Sequence, residues 1–166
     1  MEMLFYIAAA VAVLATARVV THLHAVHALL YLVVSLIALA VIFFLLGAPF
    51  AAALEIIIYA GAIMVLFVFV VMLLNQGPLT LNQERNWLSP QMWWGPGALA
   101  LILSGEVAFI ILSADVPTAD IVSISPKEVS MSLYGPYAIA VELASLLLLP
   151  GLIGAIHLGR RVTERR

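Results

Sequence analysis

The sequence contains no cysteine, which excludes disulfides and cysteine-ligated clusters from this chain. Charge is scarce too. Only 10% of the 166 residues are Asp, Glu, Lys or Arg, where a soluble domain carries about a quarter. The 7 Lys and Arg against 9 Asp and Glu give a formal net charge of -2, which excludes a nucleic-acid binder built on a broad basic surface. The sequence has no glycine-rich phosphate loop, nucleophile elbow or haem-attachment motif. It also lacks the internal repeat that builds many secondary transporters. The N-terminus has neither a basic n-region nor a clear cleavage site, so its apolar segment reads as a retained span.

What is present is hydrocarbon. Hydrophobic residues make up 65% of the chain, an excess too large for a soluble core, so the natural solvent is lipid. A helix needs about 20 apolar residues to cross the hydrocarbon. Five stretches qualify, at roughly 3–20, 28–46, 50–74, 93–114 and 136–158. Barrel strands would alternate with a period of two, and these stretches are apolar on all sides. The expectation is an all-α integral membrane protein, 1–166 forming a single membrane domain of five transmembrane helices.

The connections differ in character. Gly47-Ala48-Pro49 is a very short, uncharged turn, Asn75 to Gln91 is polar, and Asp115 to Gly135 is the longest connection. The tail from Gly159 to Arg166 is basic. Lys and Arg near span ends favour the cytoplasmic side. Placing the C-terminus inside puts Arg18, Arg85, Arg160, Arg161, Arg165 and Arg166 there and leaves Lys127 alone opposite, which predicts N-out, C-in. Trp87, Trp93 and Trp94 then mark the cytoplasmic interface, with Tyr134 and Tyr137 on the outer one.

The third span, LEIIIYAGAIMVLFVFVVML, carries the most unusual pattern. Glu55 is an acid inside it. A charge at the bilayer centre costs about 2.5 kcal/mol or more, so such residues face protein or water, and Glu55 is a candidate proton-exchanging group. The competing reading is an interfacial acid in a first helical turn, aligned with the helix dipole. Tyr59 lies four residues on, on the same face, where its hydroxyl is able to donate to the carboxylate or to water. Alternatively its ring packs and the hydroxyl finds a backbone carbonyl. Ala60-Gly61-Ala62 removes bulk and lets helices approach closely. Gly61 also weakens the preference for α geometry, and β-branched and aromatic residues follow it. This combination favours a π-bulge, although close packing alone also explains the small residues.

Other polar groups are sparse. Glu142 lies in the fifth span with Tyr137 and Ser145, and Glu106 lies near the middle of the fourth beside Ser104 and Gly105. No Lys or Arg within a span pairs with these acids, so they stay neutral, meet water or find partners on another polypeptide. That points to a larger membrane complex. His22, His24 and His27 have spacing compatible with a metal. With no carboxylate or cysteine nearby, interfacial imidazoles are the favoured reading, and no metal site is assigned. His157 also reads as interfacial.

The run VHALLYLVVSLIALAVIFFLLGAPFAAALEIIIYAGAIMVLFVFVVMLLN, with GPYAIAVELASLLLL further on, resembles the J-subunit family of bacterial respiratory complex I. This is the counterpart of mitochondrial NADH dehydrogenase subunit six. The likeness covers nearly the whole chain, and the acid-tyrosine-glycine block is its most specific part. The resemblance implies a membrane-arm subunit of the proton-pumping NADH:quinone oxidoreductase, a translocase of the bacterial inner membrane. It implies no redox cofactor and no active site in this chain; FMN, iron–sulfur clusters, NADH and quinone belong to other subunits. The implied partners are the small subunit K, the quinone-chamber subunit, an antiporter-like subunit and the lipid bilayer. It further implies a convertible π-bulge around Tyr59, Ala60, Gly61, Ala62, Ile63, Met64, Val65, Leu66 and Phe67. Glu55 and Tyr59 then belong to a proton path, to which Glu142 is a further candidate, whereas Glu106 matches no family position and receives no role. Two rival functions remain at this point, a purely structural spacer needed for assembly and an independent small transporter.

Overall fold

The computed structural model describes residues 2–22, 25–74, 90–112 and 123–159. The regular structure in these residues is all helical. Helix α1 covers Glu2–Thr21 and α2 covers Ala25–Leu45. Helix α3, residues 49–74, is built in three pieces: an α-helical Pro49–Leu54, a π-wound Glu55–Ile63 and an α-helical Met64–Leu74. Helix α4 covers Pro90–Leu112, α5 covers Pro126–Tyr134 and α6 covers Ala138–Gly159. Among the described residues, five helical segments are long and apolar enough to cross a membrane: Glu2–Thr21, Ala25–Leu45, Pro49–Val71, Trp93–Leu112 and Ala138–Leu158. In lipid only helices and closed barrels satisfy every backbone group internally, which is why a chain this apolar resolves into long helices.

The chain divides into two compact units, Met1–Ile124 and Ser125–Arg166. In the first, α2 is the central element and packs against α1, all three pieces of α3, and α4. Its contact with α1 is built on small side chains. Ala8, Val11, Ala12 and Ala15 are buried along one stripe of α1, facing Val34, Ala38, Val41 and Leu45 of α2. Lipid tails are as apolar as these residues, so hydrophobicity supplies no drive between helices. Close approach over alanine and interhelical hydrogen bonds do. The Thr16 hydroxyl donates to Ala12 O at 2.8 Å and lies 2.8 Å from Ser35 Oγ, which bridges α1 to α2. Leu99, Leu103 and Ile110 of α4 complete the core on the other side.

The turn from α2 to α3 is sharply specified. Gly47 has φ 81°, its N–H donates to Phe44 O at 3.1 Å, and the Ala48 N–H donates to Phe43 O at 2.9 Å. This is a Schellman motif, with glycine at the left-handed position. Pro49 then opens α3 at a position where a missing N–H costs nothing. The Ile124 N–H returns to Gly47 O at 2.9 Å, tying the segment beyond α4 to this turn.

The second unit contains α5 packed against α6. Helix α5 falls inside the stretch expected to be only a connection. Ser125 caps it: its side chain accepts from the Glu128 N–H at 3.3 Å, and Glu128 Oε2 accepts from the Ser125 N–H at 2.8 Å. This reciprocal capping box, with Pro126 in the first turn, sets the helix start. Nearly every described side chain of α6 is exposed within the chain.

Candidate functional site

The π-wound piece of α3 begins at Glu55. Up to that point the helix is ordinary, since the Glu55 N–H reaches Ala51 O and Ala52 O. At its end the Met64 N–H reaches back to Tyr59 O, five residues away, as well as to Gly61 O. Such wide turns are rare and concentrate at functional sites. Gly61 fits the geometry closely. A Cβ on it would lie 3.1 Å from Ile56 O, the carbonyl five residues earlier. A side chain there presses on the wide turn itself, so glycine and the winding belong together.

The register differs from the expected one. The resemblance implies a bulge from Tyr59 to Phe67, whereas the π winding occupies Glu55–Ile63. Tyr59, Ala60, Gly61, Ala62 and Ile63 are π-wound, whereas Met64, Val65, Leu66 and Phe67 lie in the α-helical piece that follows. The wide turn therefore includes the acid and does not merely follow it. Glu55 is half-buried and Tyr59 is 51% exposed. Met64, the first residue beyond the wide turn, is 2% exposed, while Val65 and Phe67 face outward. The winding thus decides which side chain of α3 is turned into the packed interior.

Glu106 is the residue that sequence reasoning left without a place. It is 5% exposed, and neither carboxyl oxygen has a hydrogen-bond partner among the described residues. Its helix packs on α1 and α2. Nothing periodic in the uniformly apolar fourth span shows that this face turns inward. Glu142 lies on α6 in the second unit and is exposed there, with its backbone carbonyl accepting from Ser145 Oγ at 2.8 Å.

His22 and His27 stack with ring centroids 5.4 Å apart, and His22 lies 6.0 Å from the Tyr31 ring. His24 lies outside the described residues, as do Trp87, Arg85 and the arginines from Arg160 onward. Among the described residues no three His, Asp or Glu side chains gather in a way that could hold a metal ion. Tyr31 is buried with its hydroxyl over Gly95 of α4, where any Cβ would collide with it.

These features define a multi-pass helical membrane protein whose third span is interrupted by a π winding at an acid. Residues 15–158 match the family of NADH-ubiquinone/plastoquinone oxidoreductase chain 6. The sequence is 59% identical over 163 residues to NADH-quinone oxidoreductase subunit J of Pseudomonas aeruginosa, covering 97% of this chain and 98% of that protein. It is 56% identical to subunit J of Escherichia coli strain K12 over 160 residues, covering 96% and 87% of the two chains. For subunit J of Buchnera aphidicola from Schizaphis graminum the identity is 46%, over 96% of this chain and 98% of the relative. The chain belongs to the chain 6, or subunit J, family of NADH-quinone oxidoreductase.

Proposed function

We propose that the chain is a non-redox membrane subunit of a proton-pumping NADH:quinone oxidoreductase, and that α3 couples quinone reduction to proton movement by changing its winding. The observation that carries this reading is the π-wound Glu55–Ile63 piece, which starts at an intramembrane acid and contains Gly61. A wide turn holds one residue more than an α turn. Removing it rotates the helix beyond by roughly 100°. With the Pro49–Leu54 piece held fixed, that rotation brings Ile63 to the position Met64 occupies and turns Met64 out of the packed interior. Val65 and Phe67 shift with it. A water path reaching Glu55 opens or closes according to which side chain stands there. Tyr59 positions that water. The winding responds to events elsewhere only if the two forms bind the rest of the complex with different free energies.

The exposed apolar faces of α3 and α6 fit a chain whose remaining neighbours are other membrane subunits: the small subunit K, the quinone-chamber subunit and an antiporter-like subunit. FMN and iron–sulfur clusters reside elsewhere in the complex. Glu142 is assigned to the proton path as a further protonatable group. The distribution of arginine and lysine supports an N-out, C-in arrangement in the bacterial inner membrane.

The test is gentle purification of the tagged chain from its own membranes. NADH:quinone activity is expected to accompany it. Isolation of a stable single chain without that activity overturns the assignment. Transport by the purified chain alone in liposomes would establish the rival transporter function instead.

A further inference from the structure

The switch in α3 makes no use of Glu106, yet this carboxyl group is the most deeply buried acid among the described residues. Its level in the fold follows from its neighbours on α4. Leu103, three residues before it, joins Val11, Ala12, Ala15, Val34 and Ala38. Ile110, four residues after it, packs against Ala8, Val41 and Leu45. Glu106 therefore lies between these two layers, where α1 and α2 offer Ala8, Ala12 and Ala38. Small side chains leave room there for a carboxyl head.

No titratable or charged residue of α1 or α2 lies at this level. Glu2 and Tyr6 are nearer the start of α1, Arg18 is in its last turn, and His27 and Tyr31 are in the first two turns of α2. Arg18 is the only Lys or Arg described in this unit. Both Glu106 oxygens are covered by the chain itself, so lipid and other subunits do not reach them. What can satisfy them is small: a proton, and water admitted between the helices. A buried charge with no partner is strongly disfavoured, which leaves the protonated carboxyl as the resting form.

We propose that Glu106 is a proton-binding site inside the α1–α2–α4 interface, its ligand a proton exchanged through internal water. On uptake, an O–H bond forms at one carboxyl oxygen as a hydronium ion in the interface becomes water. On release, that bond breaks, water takes the proton and a carboxylate remains. The site stands on the packing of α4 and is independent of the winding of α3.

Infrared difference spectroscopy of the intact complex in native membranes tests it, comparing wild type with Glu106→Gln. The expected result is a carbonyl stretch of a buried carboxylic acid at neutral pH, shifted in heavy water as the proton exchanges and lost in the variant. Replacement of carboxylate bands, with no carboxylic-acid band lost, overturns the proposal. If Glu106→Gln fails to assemble, Glu106→Asp keeps the acid one methylene shorter. A shifted acid band in that variant supports the site, and an unmoved spectrum overturns it. Because the readout is vibrational, it stands even where NADH:quinone turnover is unaffected.

Discussion

The carbonyl oxygen of Ile56 stands 3.1 Å from the point where a side chain on Gly61 would begin. This contact crosses the wide turn of α3 and exists because the turn is wide. It makes residue 61 a direct probe of the winding.

Gly61→Ala is expected to strain the π form by about 1 kcal/mol, the low end of the cost of overpacking. That shifts the balance between windings about fivefold toward the α form. The complex should assemble and oxidise NADH while moving fewer protons per NADH. Parallel measurement of NADH oxidation and of the proton gradient in membrane vesicles checks this. An unchanged proton yield in an assembled Gly61→Ala complex would favour a purely structural role for α3.

Glu55→Gln preserves the shape of the first π-wound residue and removes its ability to titrate. Assembly should be intact and the proton yield reduced, because the acid at the start of the π-wound piece no longer exchanges protons. A yield equal to wild type at every pH tested removes Glu55 from the proton path.

Gly95→Ala drives a methyl group into the Tyr31 hydroxyl, and Tyr31 is buried with the His22 ring beside it. The approach of α4 to α2 should loosen at a cost of about 1–3 kcal/mol, seen as a lower thermal midpoint of the detergent-solubilised complex. Adding Tyr31→Phe removes the clashing oxygen and should recover part of the loss. No recovery in the double variant would show that the strain lies elsewhere.

Ser125→Ala removes the side-chain cap of α5 while leaving Pro126 in place. The expected loss is about 1 kcal/mol, or about a fivefold rise in amide exchange for the first turn. Glu128 and Val129 report it directly, since their N–H groups bond to Ser125 Oγ at 3.3 Å and Ser125 O at 3.2 Å. Ser125→Asp should restore protection. Exchange rates unmoved by alanine would mean that the cap does not control the opening of this turn.

The long apolar helices were legible because length and composition alone decide them: in lipid the backbone has no partner but itself. Helix α5 was signalled by Ser125-Pro126-Lys127-Glu128, a capping box with proline in the first turn, but it is short and polar beside the spans. The π winding was legible in kind and misplaced in register. Gly61 drew attention to the residues after it, whereas a glycine that relieves a wide turn lies toward the end of that turn, five residues beyond the carbonyl a side chain would crowd. The β-branched and aromatic run that follows is ordinary α-helix, because propensity is a weak preference next to the demand for complete backbone bonding. Glu106 was visible as a costly residue, but its surroundings were not. Which face of an apolar helix turns inward is set by the alanines of two other helices.

The turn at Gly47 closes two hydrogen bonds of its own and receives a third from Ile124, so the start of α3 is clamped. If the winding between Glu55 and Ile63 changes as proposed, the rotation is taken up toward Leu74, at the opposite end from the α2–α3 turn.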